Sequence, residues 1–88
     1  MELELKDTVE MMQSSDYRER FIAEYHQTKI RYEKLKKFNT KIKAAHMSNK
    51  VEMPAHDCPD ELLREQQAAM GQYLHLLELR AEIEHIKI

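Results

Sequence analysis

Apolar and aromatic side chains recur through the first half of the chain in steps that alternate between four and three. Phe21, Thr28, Leu35 and Ile42 recur every seven residues, and Tyr25, Tyr32, Asn39 and His46 fill the adjoining row. Two such rows make a seam along one side of a helix. The pattern predicts a helix over residues 16–46, roughly 45 Å long at 1.5 Å per residue. Asp16, with Glu19 three positions on, has the spacing of a capping box at its start. Thr28 and Asn39 are weak core residues, so a partner must supply much of the apolar area.

A second helix is expected over residues 58–86. Pro59 suits a first turn, with Asp57 or Cys58 before it as N-cap, and Asp60 and Glu61 meet the positive end of the helix dipole. Leu62, Leu63, Met70, Tyr73, Leu74, Leu77, Ala81 and Ile83 form a wide apolar face. Leu76 broadens it, and Leu79 with Ile86 reaches toward the opposite side. Gly71 interrupts this helix at a cost of about 1 kcal/mol against alanine, which the close approach of another backbone would explain. Residues 47–57 lose the period, contain Pro54 and read as a loop. A short N-terminal helix within residues 1–13, with Leu5, Val9 and Met12 on one side, ends at Ser14-Ser15.

These elements predict an all-α protein: one domain over residues 1–88, an antiparallel hairpin of two long helices with a short helix before it. With the turn near residue 52, facing positions sum to about 104. Arg80 then lies opposite Glu24, Arg20 opposite Glu84, and Leu35 near Met70. A two-helix hairpin cannot cover so wide an apolar face. A homodimer forming a four-helix bundle, or a higher assembly, is therefore expected.

Composition agrees with long solvated helices. Glycine and proline together number only three and charged residues make up 34%, which excludes a turn-rich barrel or sandwich. One cysteine rules out an internal disulfide, and no stretch approaches the ~20 apolar residues of a membrane span. With the acidic N-terminus, this points to a cytoplasmic protein.

Charge changes the picture more. Residues 29–43 carry seven cations against Glu33, a net +6, so the rest of a chain of net charge −2 carries −8. So mixed a molecule lacks the overall basic character of a duplex binder, and nucleic acid is an unlikely partner. A small anion fits better: Arg20, Arg31 and Lys34 for phosphate, and Tyr25, Tyr32 or Tyr73 to stack on a base. The competing reading makes each tyrosine a core residue with its hydroxyl at the rim.

His56-Asp57-Cys58 is the one place where a thiol, an imidazole and a carboxylate adjoin. Structural zinc wants four ligands in paired spacings, and the chain has one thiol and no such pair. A helix start is the expected reading, and no metal or cofactor is implied. With no Gly-rich phosphate loop, carboxylate dyad or catalytic triad order, the chain is not read as an enzyme.

The stretch YRERFIAEYHQTKIRYEKLKKF, followed by CPDELLREQQAAMGQYLHLLELRAEIEHI, resembles a family of small helical-hairpin proteins of phages and prophages. The resemblance rests on a first helix rich in arginine and tyrosine that runs into Lys34-Leu35, and on Leu62, Leu63, Gln66, Met70, Tyr73, Leu77 and Arg80 in the second. It covers most of residues 16–86. The functions of that family are mostly unknown. The resemblance implies a phage setting, in the cytoplasm of an infected or lysogenic bacterium. Non-enzymatic phage proteins of this size often disarm host immunity. Two activities follow as expectations: an oligomer that sequesters a nucleotide-type immune signal, or a protein that binds and blocks a bacterial defence protein. A structural phage component is the third.

Overall fold

The computed structural model describes residues 3–88, so residues 1 and 2 of the expected N-terminal helix lie outside the described ones. A single 3-10 turn, Leu5–Thr8, leads into α1, Val9–Met12; the long helices are α2, Tyr17–Met47, and α3, Asp60–Glu84. No strand occurs among the described residues. The molecule measures 49 × 25 × 23 Å, its long axis set by the 31 residues of α2.

α2 begins where its cap is. The Asp16 carboxylate accepts the Arg18 N–H at 2.9 Å. The other half of a capping box belongs to Ser14, not Glu19: the Ser14 hydroxyl accepts the Asp16 N–H at 3.0 Å. α3 starts at Asp60, two residues later than expected, with Pro59 itself as the extended N-cap. The loop is tied down by an aspartate shared between two histidines. His46 Nε2 and His56 Nε2 lie 2.7 and 2.6 Å from the two oxygens of Asp60, and His56 Nδ1 lies 2.7 Å from the Pro54 carbonyl. Both ring nitrogens of His56 thus face acceptors, the arrangement an imidazolium satisfies. The Pro54 carbonyl and then Asp60 hold its pKa above the usual value; His46 and then His56 hold that of Asp60 below. His56-Asp57-Cys58 is therefore a helix approach with a structural histidine and an exposed thiol.

α3 stops at Glu84 rather than running to residue 86. His85 takes the left-handed conformation, φ 56°, and the Ile86 N–H closes on the Ala81 carbonyl at 2.9 Å. This Schellman closure brings Ile86 back onto Ala81. Ile86 is thereby buried in the core instead of reaching round to the far side of the helix.

The two long helices run antiparallel. Tyr17 meets Glu84, Tyr25 meets Glu78, Asn39 meets Gln67 and His46 meets Asp60, close to the expected pairing sum of about 104. The arginine partners differ. Arg80 bonds Glu84 on its own helix at 3.0 Å, lies 5.0 Å over the Phe21 ring and touches the Tyr17 hydroxyl, while Glu24 accepts from Tyr73. Arg20 donates to the Ser14 carbonyl at 2.8 Å. Its expected place at the C-terminal end of α3 is taken by Arg18, which donates to the Glu84 carbonyl at 3.1 Å. A guanidinium with an acceptor a turn away has less chain to order than one that must bridge helices.

Phe21, Tyr25, Leu74, Leu77, Ala81 and Ile86 make the core, with Ile22 and Tyr32 against it. It occupies the end of the hairpin where α2 begins and α3 ends. Gly71 is approached by the Tyr32 ring rather than by a backbone: a Cβ there would stand 3.2 Å from Tyr32 Cε1. The broad apolar face of α3 is only half used. Leu62, Tyr73, Leu76, Leu79 and Ile83 stay exposed, Ile83 at 76%.

The N-terminal segment docks on α2 alone, without touching α3. Its anchor is polar. Thr8 is fully buried; its hydroxyl donates to the Leu5 carbonyl at 2.7 Å and accepts from Gln27 at 2.8 Å. Leu5, Val9 and Met12, the expected packing side, are exposed. The segment enters as a 3-10 turn, which rotates side chains differently from an α-helix and turns Thr8 inward.

Candidate functional site

The six residues singled out for an anionic ligand divide between two sides of α2. Tyr25, Tyr32 and Tyr73 belong to the interface with α3. Tyr25 is 5% exposed, and its hydroxyl donates to Glu78 at 2.7 Å. Burial first, then that carboxylate, push its pKa up to about 12. Tyr32 lies against Gly71, and Tyr73 is exposed with its hydroxyl on Glu24. Arg20 is committed to the Ser14 carbonyl and Arg31 is exposed. The fold does not bring the tyrosines and Lys34 to one surface.

Lys34 lies elsewhere, in a groove of about 930 Å³ between the N-terminal segment and α2. α2 supplies His26, Lys29, Ile30, Glu33, Lys34 and Lys37, at spacings that place them on one side of a helix. Leu3, Glu4, Leu5 and Lys6 form the other wall. The lining thus holds four lysines and two glutamates together with Leu3, Leu5 and Ile30. Lys6 is paired with Glu4 at 3.3 Å, and Lys29 lies 5.9 Å from the Tyr25 ring centroid. Lys34 and Lys37 enter no ion pair among the described residues.

His26 is half-buried in this lining, edge-on to Tyr25 with ring centroids 5.3 Å apart. Burial, then the charge of Lys29, lowers its pKa below the ordinary 6.5. At neutral pH it is an uncharged imidazole, able to donate from one nitrogen and accept at the other. An anion in the groove would oppose the Lys29 effect and favour the imidazolium.

Sequence reasoning found Lys34 but not His26, Lys29 and Lys37 as its companions. All four line the same groove on α2, with His26 and Lys29 beside the seam residue Tyr25, and that spacing was readable. Nothing in the apolar pattern said that the N-terminal segment would dock there, because its anchor is Thr8. No group of three or more His, Cys, Asp or Glu side chains suited to a metal gathers among the described residues. No helix among them is long and apolar enough to cross a membrane.

A family model described as Sequestin matches residues 15–83. The chain belongs to the Sequestin family. No curated protein and no solved structure matches it. The Sequestin match takes in all of α2 and all but the last residue of α3. His26, Lys29, Lys34 and Lys37 fall inside the Sequestin region. Leu3, Glu4, Leu5 and Lys6, the opposite wall, precede it.

Proposed function

We propose that this Sequestin-family chain is a non-catalytic binding protein that sequesters a small anionic ligand of nucleotide type. The observation that carries the reading is the groove. Its volume of about 930 Å³ lies within the roughly 300–1,000 Å³ of small-ligand sites. Unpaired Lys34 and Lys37 offer charge to phosphate, and Leu3, Leu5 and Ile30 offer apolar surface to a base or sugar. The family description agrees with sequestration. The phage-type resemblance makes a nucleotide immune signal of the bacterial host the ligand of choice. Of the residues first singled out, Lys34 holds phosphate in the groove. Arg20 and Arg31 lie outside its lining, and Tyr25, Tyr32 and Tyr73 would stack on a ligand only at a separate surface.

Self-association belongs to the same reading. Leu62, Ala69, Leu76 and Ile83 recur every seven residues along the exposed side of α3, the spacing of a helix that pairs with another helix. Two copies meeting there would form a four-helix bundle with a groove on each outer side.

Native mass spectrometry with a panel of linear and cyclic nucleotides tests both points. The expected result is an oligomer that gains one nucleotide mass per groove, with the gain abolished by Lys34→Glu combined with Lys37→Glu. An oligomer that ignores the whole panel would remove the nucleotide reading. It would favour the second one, a protein inhibitor or adaptor acting on a bacterial defence protein, for which the same exposed stripe of α3 is the contact surface.

A further inference from the structure

The side of α3 turned away from the core carries apolar residues that nothing covers. Among the described elements α3 packs against α2 alone. Leu62, Leu76, Leu79 and Ile83 stay exposed, with Ala69 between them. The stripe from Leu62 to Ile83 is roughly 32 Å long at 1.5 Å per residue. The molecule also shows more surface than its mass requires. A chain of 10.6 kDa exposes 6913 Å². A compact monomer of that mass exposes about 5,500 Å², which leaves a surplus of about 1,400 Å². A standard interface covers about 800 Å² of each partner, so the surplus has room for one.

Charge says which partner fits and which way round. The pairing of α2 with α3 puts residues 29–75 in the half of the hairpin that holds the loop, and residues 16–28 and 76–86 in the other half. The loop half carries a net +3 and the other half −3. A second copy laid antiparallel sets each half against its opposite, whereas a parallel copy sets like against like. The stripe repeats the preference on a smaller scale. Glu65 lies on it between Leu62 and Ala69. In a parallel pair it would meet the partner's Glu65; in an antiparallel pair centred on the stripe it comes level with the partner's Arg80.

We infer that the stripe is covered by α3 of a second copy, antiparallel, about a two-fold axis that passes beside Gln72 and Tyr73. Facing positions then sum to about 145, and each contact occurs twice, as two-fold symmetry requires. Leu62 meets the partner's Ile83. Ala69 meets the partner's Leu76, small against large. The inference rests on the self-association put forward above and adds its orientation and register. It does not depend on what the groove binds.

Cysteine mapping tests it. Sedimentation velocity of the unsubstituted chain first reads whether a dimer forms. Leu62→Cys and Ile83→Cys are then made separately in a Cys58→Ser background, which removes the exposed native thiol. Mild oxidation of the mixed variants is expected to give a disulfide-linked dimer, and oxidation of either one alone to give none. Like positions lie roughly 32 Å apart in the antiparallel pair, far beyond the reach of a disulfide. Ala69→Cys mixed with Leu76→Cys is expected to behave in the same way, and circular dichroism checks that each variant keeps its helices. Cross-links from each variant alone would mean a parallel pair; that overturns the orientation and leaves self-association standing. A dimer that gives neither kind of cross-link would place the contact on another surface and overturn the docking on α3. A chain that stays monomeric at every concentration would remove self-association itself.

Discussion

The Tyr25 hydroxyl donates to the Glu78 carboxylate at 2.7 Å from a ring that lies in the hairpin core. The bond crosses from α2 to α3, so the tyrosine works as a core residue with a polar tip at the rim. Tyr25→Phe keeps the ring and loses the bond, for an expected cost of about 1–2 kcal/mol. Tyr25→Ala empties the core and should cost about 3–5 kcal/mol. Urea unfolding monitored by circular dichroism measures both. Equal costs would mean that the ring contributes little to the core.

His85 is the one described residue other than glycine with positive φ. A β-carbon in the left-handed region costs roughly 1–2 kcal/mol, which glycine avoids. His85→Gly should therefore raise stability by about 1 kcal/mol, visible as a higher thermal midpoint. Ile86→Ala removes the side chain that this turn delivers to the core and should lower stability by about 2–4 kcal/mol. If His85→Gly were destabilising, the imidazole would have to contribute more than its backbone strain.

Stability should depend on pH with opposite signs from two histidines. The pKa of His56 is raised above 6.5 by the Pro54 carbonyl and Asp60. Its contribution is complete below 6.5 and is lost as pH rises through the higher folded value. The pKa of Asp60 is lowered from 3.8, so its contribution is present above 3.8 and is lost as pH falls through the folded value. His26 is lowered below 6.5, so the unfolded chain binds its proton more tightly and stability falls as pH drops through 6.5. Thermal midpoints from pH 4 to 9 should show His56→Gln flattening the alkaline decline and His26→Gln flattening the acid-side decline near 6.5. Unchanged profiles in both variants would disprove the assignments.

Gly71 faces the Tyr32 ring at a distance where a methyl group is tight. Gly71→Ala should gain less than the ~1 kcal/mol of helix propensity in the native chain. In a Tyr32→Leu background it should gain the full amount. A double-mutant cycle by urea unfolding reads the difference, and an interaction energy of zero would mean that the ring yields freely.

The hairpin was legible because its signals are local and repeated. The seam from Phe21 to Ile42 and the register near 104 each follow from spacing alone. The partners of Arg20 and Arg80 were not legible, since a long guanidinium chooses among several acceptors within reach, and Ser14 and Glu84 were closer. The end of α3 was obscured because histidine is a rare occupant of the left-handed position that glycine usually marks. The tyrosines carried a conflict visible beforehand: Tyr25 and Tyr32 sit in the seam rows, where they face α3. The groove depended on a docking decided by one buried threonine hydroxyl, which no apolar period records.

That docking separates the outer wall of the groove from the part of the chain that folds the hairpin. The wall built from Leu3 to Lys6 adds nothing to the hairpin core and precedes the region shared with the family. It works like an interchangeable jaw on a fixed handle. If the groove binds a ligand as proposed, substitutions there would alter what it accepts while the two long helices go on folding as before, so selectivity and foldability would sit on separate stretches of the chain.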